Sequence, residues 1–312
     1  MSERLTTSHL TNNLTRYITS TMTSPKQINA DIAWPLYDTE PLEGAFSLST
    51  PNENIDTAVV TSVRRPWLFG FKPQAPNTNA NNKAILICGG GGYVELMLGR
   101  EGIQVARWLT SLGFTAFVLV HRFPNSETSA QAPLDDARRA LSIIADKGFA
   151  EDGKGVAVCG LSSGGHLAAS LLASYPQTWS ASKSQIEPQL PKIDFAIIGY
   201  APISTNAAGR TIIKDKAPLP PKEKQELYDA LQPDVQLKSP APPTFIVYAG
   251  NDHVVPIVNA YRLAEGVAKE GGKVELHVFA DAPHGFGVDT VGLPVSGWVG
   301  MCEAWLRQGV LG

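Results

Sequence analysis

The feature that most constrains this chain is a five-residue run, Gly160-Leu161-Ser162-Ser163-Gly164. It lies between the apolar stretch Val156-Ala157-Val158-Cys159 and the helix-forming stretch His166-Leu167-Ala168-Ala169-Ser170. A serine at a sharp strand-to-helix turn needs strained backbone angles, and glycines must flank it because a Cβ there strikes the neighbouring strand or helix. The run therefore reads as a nucleophile elbow, with the Ser162 hydroxyl presented at the end of a sheet. Spacing alone is weak support, since a Gly/Ser-rich loop that merely turns shows it too. The strand before it and the helix after it strengthen the reading.

A serine hydroxyl is a poor nucleophile until a base takes its proton and a carboxylate orients that base. In doubly wound folds with this elbow the chain order is serine, acid, histidine. Four histidines follow Ser162: His166, His253, His277 and His284. His166 lies on the elbow helix, where packing or capping suits it better. His277 falls within the strand pattern Val274-Glu275-Leu276-His277-Val278-Phe279, and His253 adjoins the acid candidate and points away from it. His284 remains, in the Pro/Gly-punctuated loop Asp281-Ala282-Pro283-His284-Gly285-Phe286-Gly287 directly after that strand. For the acid, Thr244-Phe245-Ile246-Val247-Tyr248-Ala249 reads as a buried parallel strand, and Asp252 stands at its carboxyl end. Asp252 could instead cap the helix expected from Pro256, and Asp281 is the lower-ranked rival acid.

Ester or amide cleavage builds negative charge on a carbonyl oxygen, which requires N–H donors fixed where that charge appears. Ala84-Ile85-Leu86-Ile87-Cys88 reads as a strand running into Gly89-Gly90-Gly91-Gly92-Tyr93. Glycines in such number imply a backbone that comes close to a ligand. A phosphate-cradling loop is the competing reading, but no Lys-Ser or Lys-Thr pair follows and no Gly-x-Gly-x-x-Gly register is present.

With these stretches in order, the chain resembles the α/β-hydrolases. More narrowly, it is similar to the acetyl-esterase branch related to hormone-sensitive lipases, often labelled xylan or carbohydrate esterases. The likeness spans roughly 55–308. It also rests on Glu101-Gly102-Ile103-Gln104-Val105-Ala106-Arg107-Trp108-Leu109, on Gly113-Phe114-Thr115-Ala116-Phe117-Val118-Leu119 and on Ala132-Pro133-Leu134-Asp135-Asp136-Ala137-Arg138-Arg139-Ala140. The resemblance implies Ser162 as nucleophile, His284 as general base and then acid, and Asp252 as orienting group. Aligned on the glycine-rich segment of such enzymes, Gly91 and Gly92 supply oxyanion N–H donors, with that of Ser163 as the third. Gly89 stands where relatives have histidine or proline.

The resemblance further implies hydrolysis of short acyl esters, acetyl above all and including acetylated sugars, through an acyl-enzyme with no cofactor or metal. An amide hydrolase of arylformamidase or peptidase type would share the same residues. A non-catalytic ligand-binding protein on this fold is the rival of another class.

The hydrophobic content of 43% suffices for one large core, so 27–312 is expected to be a single α/β domain behind a polar extension, 1–26. A net charge of −3 without a basic stripe argues against nucleic acid or an anionic membrane as partner, leaving a small-molecule ester. No stretch reaches the roughly 20 apolar residues of a membrane span. The beginning lacks the apolar core of a secretory signal, which predicts a cytoplasmic protein. Cys88, Cys159 and Cys302 read as packed thiols.

Strands are expected near 56–63, 67–72, 84–88, 115–120, 155–159, 194–199, 244–249 and 274–279. Helices are expected near 100–112, 134–147, 163–174, 256–270 and 295–308. That alternation predicts a mostly parallel sheet with helices on both faces. Proline-rich 202–243, with a short helix near 221–231, interrupts it as a lid-like insertion. Within it, 209–221 reads as variable. Tyr93 is expected either to line the pocket or to pack against that insertion.

Overall fold

The computed structural model describes residues 28–37, 42–49, 54–74, 83–150, 154–180, 190–213 and 215–309. The polar extension 1–26 lies outside them, as does 181–189. Ten strands are described: β1 (Ile32–Pro35), β2 (Phe46–Leu48), β3 (Val60–Val63), β4 (Trp67–Phe71), β5 (Ala84–Cys88), β6 (Thr115–Val120), β7 (Val156–Leu161), β8 (Ile193–Gly199), β9 (Thr244–Ala249) and β10 (Val274–Phe279). The main helices are α1 (Gln104–Ser111), α2 (Ala132–Ile144), α3 (Ser163–Leu171), α4 (Lys222–Ala230), α5 (Val258–Lys269) and α6 (Trp298–Gly309).

Eight strands form one sheet in the order β1-β4-β6-β5-β7-β8-β9-β10, and all pairs from β6 to β10 are parallel. Strands β5, β6, β7 and β9 are buried along their whole length. Their unbroken apolar runs suit strands covered on both faces, whereas alternation would have meant one wet face. The antiparallel additions β4 and β1 close one edge. Two strands were not expected from the sequence, the short β1 and β2. The strand expected over 56–63 proves to be a 3₁₀ turn, Ile55–Thr57, followed by β3. β3 pairs with β2 in a separate ribbon. All three cysteines are free and buried, and burial pushes the Cys88 thiol up to about 12.

From β5 the chain steps through α1 to β6 on one side, then crosses back through α2 to β7 on the other. Right-handed crossovers in opposite directions put α1 and α2 on opposite faces. The reversal makes the carboxyl end of β5 a topological switch point, where two diverging connections leave a crevice. Both glycine-bearing turns of the sequence open onto that end of the sheet: 89–93 after β5 and the Ser162 turn after β7. Along α1, Trp108 stacks edge-on against Trp298 of α6 at 5.4 Å and donates its indole N–H to Glu303 at 3.1 Å, which fixes the final helix on that face.

The elbow is a backbone-on-backbone contact. A Cβ on Gly160 would run into the carbonyl of Gly164, and one on Gly164 into the carbonyl of Cys88 in β5. Those contacts let α3 lie against the strand ends at a distance no larger residue permits. The substitution Gly164→Ala is expected to destabilise the protein by about 2 kcal/mol or more, because the obstacle is main chain and cannot swing away. Urea denaturation of the variant beside the wild type checks this.

Candidate active site

Ser162 takes φ 52° and ψ −128°, a left-handed conformation held by its N–H bonding the Gly199 carbonyl at 2.9 Å. The turn hands the chain directly from β7 to α3 and leaves the hydroxyl facing the crevice. There Ser162 Oγ donates to His284 Nε2 at 2.9 Å, and His284 Nδ1–H donates to Asp252 Oδ2 at 2.7 Å. Asp252 Oδ1 accepts the N–H groups of Val254 and Val255, both at 2.8 Å, so its carboxylate is pinned by its own loop. The helix-cap alternative for Asp252 does not occur, since α5 begins only at Val258 behind Ile257. Ser162 and Asp252 are buried, 9% and 8% exposed. Asp281, the rival acid, is instead bonded to the Asn251 side-chain amide, whose oxygen accepts the Ala282 N–H at 3.1 Å. The pair thus ties the acid loop to the histidine loop.

The glycine loop folds back on itself. The Gly91 carbonyl accepts from Val94 and Glu95, and the Gly90 carbonyl from Met97 at 2.8 Å. Gly91 has φ 128°, and a Cβ there would meet the Glu95 carbonyl. Of the three expected donors, the N–H groups of Gly91 and Ser163 carry no hydrogen bond among the described residues. Gly92 departs from expectation, because its N–H bonds the Ser163 hydroxyl at 2.8 Å. The sequence assigns Ser163 only a backbone role. Its side chain, one residue beyond the elbow, reaches the loop and takes that donor.

Tyr93 also departs from the pocket-lining expectation. It has φ 62°, is 1% exposed and packs edge-on against Tyr228 of α4 at 5.6 Å and against His166 at 5.9 Å. A left-handed tyrosine carries a strain of about 1–3 kcal/mol, offset here by burial of the ring and its hydroxyl bond. That hydroxyl lies 2.9 Å from His166 Nδ1, and His166 Nε2 lies 2.9 Å from the Leu231 carbonyl. A carbonyl only accepts, so Nε2 carries the proton and Nδ1 accepts from Tyr93. Through these groups 202–243 is anchored to the elbow helix and the glycine loop alike.

Two residues given no role from the sequence complete the surroundings. Glu101, 2% exposed, accepts the Gly90 N–H at 2.7 Å and the Tyr200 hydroxyl at 3.0 Å. Tyr200, at φ 35° directly after β8, packs its ring edge-on against His284 at 5.3 Å. Nothing in the local sequence sets Glu101 apart from the neighbouring Arg100, Gln104 and Arg107. Nothing in the sequence marks Tyr200.

This geometry sits on a recognisable scaffold. A BD-FAE family profile matches residues 72–267, more than half of the chain. The protein belongs to the BD-FAE family. Two curated relatives are each 26% identical to it: an acetylxylan esterase of Xylanibacter ruminicola over 68% of this chain, and endo-1,4-beta-xylanase B of Butyrivibrio fibrisolvens over 74%. The chain spans only 42% and 37% of their respective lengths. Among solved structures, an acetyl ester-xyloside bifunctional hydrolase from Caldicellulosiruptor lactoaceticus superposes with a TM-score of 0.65 at 25% identity, covering 90% of this chain and 97% of that one. The butyrate-bound esterase Est2 of Thermogutta terrifontis gives 0.62 at 19% identity over 86% and 96%. The fold is that of the α/β-hydrolases. Among the described residues of this BD-FAE member, no helix is long and apolar enough to cross a membrane.

Burial pushes the pKa of His166 down from 6.5 to about 4, the carbonyl of Leu231 opposing only in part. Between those values the unfolded chain binds a proton that the folded protein refuses. The stability contributed by neutral His166 is therefore complete above about pH 6.5 and is lost as pH falls toward 4, a change on the order of 3 kcal/mol. Urea unfolding free energies measured across that window should fall accordingly, and the dependence should be shallower in His166→Gln.

Proposed function

We propose that the protein is a serine carboxylic ester hydrolase that cleaves short acyl esters, acetyl above all, through an acyl-enzyme. The observation that carries this reading is the hydrogen-bonded chain Ser162–His284–Asp252 beside the N–H groups of Gly91 and Ser163, which have no partner among the described residues. The acetylxylan esterase and acetyl ester-xyloside hydrolase relatives support the acyl group, and both point to acetylated xylan-type sugars as substrates.

In this mechanism Ser162 Oγ attacks the acyl carbon while its proton passes to His284 Nε2. Asp252 stabilises the imidazolium through Nδ1–H, and the N–H groups of Gly91 and Ser163 receive the oxyanion. Collapse of the tetrahedral intermediate breaks the bond to the alcohol oxygen, which takes the proton from Nε2. Water then repeats the route: His284 removes its proton, hydroxide adds to the acyl carbon, and Ser162 leaves with its proton restored.

Segment 202–243 is read as a fixed wall over the alcohol side, anchored by Tyr228 and the Leu231 carbonyl. Lys224 supports a polar alcohol there. Its Nζ lies 3.7 Å from where a Cβ on Gly92 would sit, and no acid pairs with it among the described residues. The residues supply every proton transfer the reaction needs.

Hydrolysis of p-nitrophenyl esters from acetate to palmitate should fall steeply beyond butyrate, and an organophosphate should label Ser162. Ser162→Ala is expected to lower kcat by about 10⁵-fold or more, and turnover surviving in that variant would sink the mechanism. Asp252→Asn should lower kcat by about 10³–10⁴-fold with little loss of substrate affinity, as steady-state kinetics would show.

A further inference from the structure

We propose that Glu101 is a positioning residue whose buried carboxylate holds the glycine loop and the histidine loop in one register. This rests on the esterase reading above. The carboxylate sits where the two loops converge. Its Oε2 accepts the Gly90 N–H, immediately before the Gly91 donor, and its Oε1 accepts the Tyr200 hydroxyl. Tyr200 Oη in turn accepts the Gly287 N–H at 3.1 Å, three residues beyond His284, and the Gly287 carbonyl accepts the Trp298 indole N–H at 3.0 Å. A Cβ on Gly285 would lie 3.7 Å from Glu101 Oε1, so the residue after His284 passes alongside the same carboxylate. The result is a continuous strap: Gly90, Glu101, Tyr200, Gly287.

The chemistry of the strap calls for a carboxylate. Both groups that converge on Glu101 are donors, so both of its oxygens must accept. A glutamine presents one acceptor and one donor, and would leave either the Gly90 N–H or the Tyr200 hydroxyl facing an NH₂ group. An apolar residue would fill the space at lower desolvation cost but accept nothing. Among the described residues Glu101 has no ion-pair partner within 4 Å; burial pushes its pKa above the ordinary carboxylate value, and the Gly90 N–H, the Tyr200 hydroxyl, His284 and Arg100 oppose that shift in part. The titratable groups facing it are Tyr200 after β8, His284 after β10, Cys159 in β7 and Arg100 on its own turn. Of these only His284 gains charge during the proposed reaction. The Glu101 charge therefore favours the imidazolium while the strap sets where the donors and the base stand relative to Ser162.

The test compares wild type with Glu101→Gln, Glu101→Asp and Tyr200→Phe on p-nitrophenyl acetate between pH 5 and 9, alongside thermal unfolding. Glu101→Gln is expected to lower kcat about 10- to 100-fold with KM within about twofold, and to move the acidic limb of kcat/KM to lower pH. Glu101→Asp, which keeps charge but shortens reach, should return the limb and recover only part of kcat. Tyr200→Phe should lower kcat while leaving the limb in place, and combining it with Glu101→Gln should cost less than the product of the two effects. If Glu101→Gln does not fold, Tyr200→Phe decides alone: full kcat in that variant overturns the proposal. So does a folded Glu101→Gln with unchanged kcat and limb, or one that loses rate only in step with stability. A wild type with no turnover and no organophosphate label removes the esterase reading and this one with it, whereas an active wild type with indifferent variants removes this one alone.

Discussion

The left-handed backbone at Ser162 is the constraint on which the rest of this molecule depends. Strain of that kind persists only where the surroundings over-determine it. Here the N–H of Ser162 is held by Gly199, the carbonyl of Ser162 accepts from Gly165 and His166, and the main chain of α3 rests on the main chain of β5 and β7. Three parallel strands and one helix therefore meet at a point without intervening side chains. The site lies at that meeting because the switch in connection direction at β5 leaves a crevice there.

Two buried carboxylates serve this crevice in different ways. Asp252 is satisfied by two backbone N–H groups of its own loop, so one oxygen is locked and the other is free to face His284. Glu101 is satisfied by donors from two distant segments, and its burial alone would favour the neutral acid. The first carboxylate orients one side chain, whereas the second joins loops about 200 residues apart in sequence. Both show how a buried carboxyl group is tolerated when each of its oxygens has a donor.

Segment 202–243 meets the same centre from the other side. Tyr93, Tyr228, His121 and His166 form one aromatic cluster beneath the glycine loop, so the insertion, the loop and the elbow helix share a wall. Sequence identity to the superposed hydrolases is only 25% or lower while most of the chain aligns in space. Segment 202–243 runs between β8 and β9, so the sheet holds both of its ends.

The sequence by itself determined the parallel strands and the turn after β7, because fully buried strands must be apolar throughout and a tight elbow admits only small residues. Ser162, Asp252 and His284 were legible for a related reason: each stands in a loop directly after a strand, and all carboxyl ends of parallel strands lie on one edge. The short strands β1 and β2 were not legible, since four and three residues with partial exposure carry no clear periodicity. Tertiary structure alone decided that Gly92 gives its N–H to the Ser163 hydroxyl, that Tyr93 turns inward to His166, and that Glu101 and Tyr200 link two loops. Hydrogen bonds between segments far apart in the chain have no signature in local pattern, because they depend on which donors the packed core brings within 3 Å of each other.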